Sequence, residues 1–313
     1  MDRNDPNVID RAEGCLLGQL AGDALGSLVE FQPPERILAL YPEGVRHMAD
    51  GGTFNTIAGQ PTDDSEMALL LARSLIDCGT YDAEAIFEQY QWWGESRPFD
   101  IGNTISSALF GESNPESEAN GAMMRISPIG IFGAKHGLHQ VARWAKEDAA
   151  LTHPHPVCAQ ANALYAMAIA HAVRTGPSPE ELYASILSWM QMMETETKLA
   201  EIVHGATEGP PEDYVRLQGW VLIAFHNALY QLLHAPNLEE GVVNTIMQGG
   251  DTDTNASICG ALLGAVHGRK AMPEQWVTTL QNCRPEAGKP NVRRPRPECL
   301  WPIDAIDLAR KLL

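Results

Sequence analysis

The chain has 313 residues and a formal net charge of -18. Such an acidic excess opposes a nucleic-acid partner, because phosphate binding draws its affinity from Lys and Arg. No linker or low-complexity stretch divides the chain, so residues 1–313 are read as a single domain. The amino terminus, Met1 to Asp10, has neither a basic nor an apolar leader region, and no apolar run approaches about 18 residues. A soluble, cytoplasmic monomer with no membrane partner is expected.

Apolar spacing is helical almost throughout and β-branched alternation is scarce, which predicts an all-α fold. The first helix is drawn from Ile9 to Phe31, and along it Gly14, Gly18, Gly22 and Gly26 recur every four residues. Each interior glycine costs roughly 1 kcal/mol relative to alanine, so the stripe marks a face that a second helix backbone approaches closely. On this helix Asp23 lies among Leu20, Ala24 and Leu25, where a carboxylate needs a partner. A structural hydrogen bond and support of a metal site from behind are both open. Glu30 sits where the helix meets Phe31-Gln32-Pro33-Pro34, at a junction able to move over a site.

Thr62-Asp63-Asp64 opens the next helix, Ser65 to Cys78, which Gly79 stops. Further helices are predicted over Ala83–Trp93, Ile101–Leu109, Met124–Ala134, Val157–Val173, Glu180–Met193, Trp220–Leu233 and Ala305–Leu312. Another follows Gly249-Gly250-Asp251-Thr252-Asp253-Thr254-Asn255-Ala256, and in it Gly260, Gly264 and Gly268 repeat the glycine pattern. Between these lie loops at Glu112–Ala119 and Gly205–Asp213. Arg293-Arg294-Pro295-Arg296 reads as a solvated basic loop. Six cysteines without a C-x-x-C pair read as reduced and structural. Asp100 to Thr104 resembles an acidic cap, and Asn120 to Arg125 a glycine-containing turn into a helix, whose amides can hold a phosphate. His153 and His155 lack further ligands in zinc spacing, which favours a hydrogen-bonding role for His153.

The two acidic helix starts carry the chemistry. Asp and Thr are ordinary N-cap residues, so either cluster alone is explained by capping. Capping needs one side chain per helix, however, whereas Asp63 and Asp64 are adjacent and Asp251, Asp253 and Thr254 crowd one turn. If the two starts meet, each close carboxylate pair repels by about 4 kcal/mol at an effective dielectric near 20. Two divalent cations would balance the four charges. Carboxylate, hydroxyl and carbonyl oxygens, with no His or Cys among them, favour magnesium, manganese or calcium over zinc.

Six segments together resemble the ADP-ribosylglycohydrolases, the family that includes the dinitrogenase reductase-activating glycohydrolases and the ADP-ribosylhydrolases. They are Gly14–Phe31 (GCLLGQLAGDALGSLVEF), Thr62–Met67 (TDDSEM), Asp100–Thr104 (DIGNT), Asn120–Pro128 (NGAMMRISP), Thr152-His153-Pro154 and Gly249–Asn255 (GGDTDTN). They run in the family order and span nearly the whole chain. The resemblance implies a compact orthogonal helical bundle with a binuclear magnesium or manganese centre at the base of a central ADP-ribose cleft. It implies Thr62, Asp63, Asp64, Asp251, Asp253 and Thr254 as metal ligands and Glu30 as a mobile glutamate over the metals. Asp100 matches an acidic residue near the substrate ribose. Asn120, Gly121 and Met123 match the loop that cradles the diphosphate, Gly102 belongs to the same substrate-binding set, and His153 matches a histidine that contacts ADP-ribose. No position clearly matches the adenine-stacking aromatic, for which Tyr214 is a guess.

The implied reaction is water attack at the anomeric carbon of a ribose, through an oxocarbenium-like state, with Asp63 and Glu30 at the water and Asp100 holding substrate. The implied partner is an ADP-ribosylated protein or ADP-ribose conjugate, with arginine linkage ranked before serine, nucleobase and small-molecule linkages. Two other readings stay open: a crystallin-like or otherwise non-catalytic ADP-ribose-binding protein, and a dimetal hydrolase of phosphoesters.

Overall fold

A computed structural model describes residues 2–313; Met1, at the head of the amino-terminal segment considered above, lies outside the described residues. Among those residues the chain forms fifteen α-helices and four short 3-10 turns, and the β-type pairing is limited to two isolated bridges. In chain order the helices are α1 (Pro6–Gly26), α2 (Pro34–Leu40), α3 (Asp63–Cys78), α4 (Ala83–Glu95), α5 (Asn103–Phe110), α6 (Ser127–Gly133), α7 (Leu138–Ala150), α8 (Pro156–Thr175), α9 (Pro179–Met192), α10 (Thr197–Gly205), α11 (Val221–His234), α12 (Leu238–Ile246), α13 (Thr252–His267), α14 (Glu274–Asn282) and α15 (Ala305–Leu312). No helix is long and apolar enough to cross a membrane among the described residues.

The glycine stripe positions everything else. A Cβ added at Gly14 would lie 2.5 Å from the Gly264 carbonyl oxygen, one at Gly18 2.1 Å from that of Gly260, and one at Gly22 2.0 Å from that of Ala256. Rising positions on α1 thus meet falling positions on α13, so the two helices run antiparallel in backbone-to-backbone contact. Continuing the register, Gly26 meets the backbone of Thr252 and Asp253, and Thr252 Oγ1 donates to the Gly26 carbonyl at 2.7 Å. The end of α1 and the acidic start of α13 are therefore neighbours because small residues let two backbones touch. Gly268 ends α13 with a φ of 77°, and its carbonyl carbon would still lie 2.5 Å from a Cβ on Gly14.

Several predicted boundaries move for local reasons. Helix α1 ends at Gly26, not Phe31, because residues 27–31 form turns that are tied to the start of α13. The N–H of Phe31 donates to the Gly250 carbonyl at 2.8 Å, and that of Gly250 to the Gln32 carbonyl at 3.1 Å. The helix expected over Met124–Ala134 is split into a 3-10 turn, Met123–Arg125, and α6, since Pro128 has no N–H to continue a ladder. Five helices had no predicted counterpart: α2, α7, α10, α12 and α14. Three of them bury only one or two side chains each: Ile37 in α2, Leu199 and Val203 in α10, and Trp276 and Leu280 in α14.

The basic run is not wholly solvated. Arg293 and Arg294 are exposed, but Arg296 is buried, with Nε 2.7 Å and Nη2 2.8 Å from the two carboxylate oxygens of Glu66. Glu66 lies in the first turn of α3 and also accepts from Trp93 Nε1 at 2.7 Å. A buried carboxylate there needs a bidentate cation, and Arg296 supplies it. The six cysteines are free; Cys15, Cys158, Cys259 and Cys283 are buried as expected for structural thiols.

Candidate metal centre and its cleft

The first turn of α3 has no cap of its own. Thr62 makes no side-chain capping bond, and Asp23 reaches across from α1 instead. Its carboxylate accepts from the Thr62 N–H at 3.1 and 3.2 Å, from the Ser65 N–H at 3.1 Å and from Thr62 Oγ1 at 2.8 Å. This external cap satisfies the unpaired amides of a helix start and fixes α3 relative to α1. Burial raises the Asp23 pKa to about 7, and the hydrogen bonds from Ser65 and Thr62 oppose that rise. Gln19, one turn earlier on α1, donates to the carbonyls of Met124 at 2.7 Å and Asp64 at 3.3 Å. The two segments that carry acidic and phosphate-type signals are thereby bound to one helix.

The start of α13 meets this corner from the other side. Gly249 and Gly250 have φ values of 75° and 74°, a left-handed pair that turns the chain into the helix. Asp64 then accepts from Ser257 Oγ at 2.7 Å, Thr254 Oγ1 at 3.2 Å and Thr62 Oγ1 at 3.4 Å. One carboxylate oxygen from each of Glu30, Asp251 and Asp253 lies within 4.8 Å of the other two. Glu30 Oε2 and Asp253 Oδ2 are buried with no hydrogen-bond partner. Three clustered carboxylates, two of them with an unpartnered buried oxygen, make a donor set of hard oxygens that fits a divalent cation such as magnesium or manganese.

A cleft of about 400 Å³ opens over this cluster. Of the residues named from the sequence, Glu30, Asp63, Asp100, Gly102, Asn120, Gly121, His153, Asp251, Asp253 and Thr254 line it. Thr62, Asp64 and Met123 are buried and lie behind the lining. The Met123 N–H is already bonded to the Asn120 carbonyl at 2.8 Å, so this residue shapes the loop rather than offering an amide. Asn120 Nδ2 donates to Asp251 Oδ2 at 2.7 Å, tying that loop to the acidic corner. Asp63 Oδ2 accepts from the Gly102 N–H at 3.3 Å. Contrary to the expected acidic cap, Asp100 makes no capping bond to α5, whose N-cap is Gly102; it faces Asp63 instead. Tyr214 is buried and donates to Asn227 Oδ1 at 2.8 Å, away from the cleft lining, which removes it as a stacking residue. Sequence reasoning missed Phe31, which lines the cleft with 57% of its surface exposed and a φ of 61°. A bulky residue held in the left-handed region is strained, as side chains at functional sites often are.

Burial and mutual repulsion push the carboxyls up together. Burial raises Glu30 to about 10, with Asp100 and Asp251 adding to the rise. It holds Asp63 well above the usual range, helped by Asp100 and Asp64, and Asp253 likewise, helped by Glu30 and Asp64. Asp64 rises for the same reasons, with Asp23 as the largest charge contribution. Between about pH 4, where such groups titrate in an unfolded chain, and these raised values, the folded state holds protons that the unfolded state has released. Stability of the metal-free protein accordingly falls as pH rises through that window. Thermal melting in chelator should give a lower Tm at about pH 8 than at about pH 5, with magnesium or manganese reversing the loss at the higher pH. A metal-free Tm that climbs over this range would contradict the shared-charge picture.

Similarity to known proteins extends over the whole of this architecture. Residues 4–300 match the sequence profile of the ADP-ribosylglycohydrolase family. The chain is 30% identical over 286 residues to the ADP-ribosyl-(dinitrogen reductase) glycohydrolase of Rhodospirillum rubrum, covering 88% of this chain and 92% of that one. It is 29% identical over 289 residues to the ADP-ribosylarginine hydrolase Tri1 of Serratia proteamaculans, covering 87% and 75% respectively. A solved structure of an ADP-ribosylglycohydrolase-related protein complex superposes with a TM-score of 0.79 over 98% of both chains, at 27% identity. With a family profile matching nearly end to end and the fold in agreement, this chain belongs to the ADP-ribosylglycohydrolase family.

Proposed function

We propose that this protein hydrolyses the bond between ADP-ribose and a modified protein side chain, with arginine as the first-ranked attachment. The observation that carries the reading is the convergence of Glu30, Asp251 and Asp253 oxygens within 4.8 Å in the wall of a cleft large enough for a nucleotide-sized ligand. The arginine ranking rests on the similarity to a relative named as an ADP-ribosylarginine hydrolase. Residues 1–313 act as one catalytic unit in this reading, since α1 and α13, from opposite ends of the chain, both build the site.

Asp63, Asp64, Asp251 and Asp253, with the hydroxyls of Thr62 and Thr254, would hold two magnesium or manganese ions, and Glu30 would close over them. Such ions supply Lewis acidity and lower the pKa of water to near neutrality. Glu30 and Asp63 orient the attacking water and take its proton. The Gly102 amide fixes one Asp63 oxygen. Asp100 accepts from a ribose hydroxyl. Gly102, Asn120, Gly121 and His153 hold the diphosphate side, with Met123 shaping that loop from behind, so that the anomeric carbon is presented to the acidic corner. Water adds at that carbon as the bond to the arginine nitrogen breaks, and the proton taken from the water passes to the leaving guanidine.

The decisive experiment is release of ADP-ribose from a panel of arginine-, serine- and nucleobase-linked conjugates, with EDTA and with magnesium or manganese restored. Metal-dependent release from the arginine conjugate is expected. Release from another linkage alone would replace the substrate assignment, and tight ADP-ribose binding without any release would replace the enzyme by a binding protein.

A further inference from the structure

Beneath the Gly121 side of the cleft lies a fully buried ion pair that touches neither the acidic corner nor solvent. Arg125 Nε donates to Asp148 Oδ2 at 3.0 Å, and its Nη2 to the Asp148 carbonyl at 2.9 Å. Tyr90 donates its hydroxyl to the other Asp148 oxygen at 3.0 Å and sets its ring 4.6 Å beneath the guanidinium. The remaining arm, Nη1, reaches upward to Thr152 Oγ1 at 2.9 Å and to the Gly121 carbonyl at 3.3 Å. Thr152 Oγ1 lies in turn 2.8 Å from His153 Nδ1. The far ring nitrogen, Nε2, is buried without a partner, and a Cβ on Gly121 would come within 3.2 Å of it.

Proton accounting along this chain has one solution. A guanidinium only donates, so Thr152 Oγ1 accepts from Arg125 and its single hydrogen must go elsewhere. The other bond made by Thr152 Oγ1 is to His153 Nδ1, and a buried hydroxyl left without an acceptor costs about 1–3 kcal/mol. Nδ1 is therefore the acceptor. Burial and the nearby Arg125 lower the His153 pKa to about 3, so the ring is neutral in the working range and its one proton sits on Nε2.

We propose that Arg125 and Thr152 are positioning residues that lock His153 in its Nε2–H tautomer, which makes it a neutral hydrogen-bond donor to a substrate oxygen entering beside Gly121. Histidine is otherwise free to present either a donor or an acceptor at that position. An acceptor there would repel a phosphate oxygen, whereas a donor completes its bond only when the cleft is filled. The functional half of this inference rests on the proposed ADP-ribose substrate; the tautomer does not.

The test pairs nitrogen-15 NMR of His153 with ADP-ribose binding, in the full-length wild type, Thr152→Val and Thr152→Ser. Thr152→Val keeps the side-chain shape and removes the relay, and Thr152→Ser keeps the hydroxyl. The wild type and Thr152→Ser should give a pyridine-type signal for Nδ1 and a protonated signal for Nε2, and Thr152→Val should lose that pattern. ADP-ribose affinity should drop about tenfold in Thr152→Val, the size of one hydrogen bond, and recover in Thr152→Ser. A wild-type Nδ1–H tautomer would overturn the relay. Equal ADP-ribose affinity in all three proteins would overturn its role in recognition. A wild type that binds no ADP-ribose at all would instead sink the proposed substrate, with the NMR result still deciding the tautomer.

Discussion

Asp253→Asn is expected to lower the turnover of ADP-ribose release by more than about a hundredfold, beyond the 10–100-fold typical of residues that only support a metal ligand. The same substitution should raise the Tm of the metal-free protein. Both follow from one observation: Asp253 is buried, one of its oxygens has no donor, and it shares a 4.8 Å cluster with Glu30 and Asp251. Without a cation that cluster is a concentration of like charges or forced protons, and an amide of the same shape relieves it. With a cation, the lost charge removes the reason for the ion to bind. Kinetics at saturating magnesium and melting in EDTA read the two effects separately. Unchanged turnover would remove Asp253 from the metal set, and a lowered metal-free Tm would mean that the carboxylate is structural.

Gly22→Ala should be more damaging to the fold than its size suggests. The added Cβ would lie 2.0 Å from the Ala256 carbonyl oxygen, 2.3 Å from its carbonyl carbon and 2.7 Å from the Ser257 nitrogen, all of them backbone atoms of α13. No side-chain rotation relieves that clash, so α1 and α13 have to separate. We expect a loss of more than about 3 kcal/mol, above the 1–3 kcal/mol usual for overpacking and larger than the roughly 1 kcal/mol that alanine gains in helix propensity. Metal affinity should fall with it, because Asp23, Glu30 and the start of α13 hold one another through this contact. Gly137→Ala is the matched control: Gly137 precedes α7 with a φ of -73°, and a Cβ there meets nothing within 4 Å. Denaturant melts that give the two variants equal stability would refute the close-contact argument.

How much of this was legible depends on the length scale of each signal. Glycines spaced every four residues announce a close helix contact, and the pairing of Gly18 with Gly260 supplies it. Adjacent carboxylates at two helix starts announce a charge problem, and the structure brings Glu30, Asp251 and Asp253 together. Helices with mixed faces were harder to see. In α7 the buried Val141, Trp144, Ala145 and Asp148 are interspersed with charged residues, so an apolar-run reading passes over it. Arg296 was misread because nothing near it in sequence reveals that Glu66, 230 positions earlier, is waiting in the core. The split of the helix at Pro128, by contrast, was available from the proline itself.

Residue type and spacing alone determined the all-α class, the hard-oxygen character of the candidate site and the presence of a tight helix pair, because these depend on periodicity and on chemistry carried by each side chain. Only the tertiary structure decided that Glu30, rather than Asp63 or Asp64, groups most closely with Asp251 and Asp253. It also decided that Asp23 caps α3 from another helix and that Arg125 reaches His153 through Thr152. Such contacts join residues separated by tens to hundreds of positions, and their geometry follows from how helices are packed rather than from any local preference of the chain.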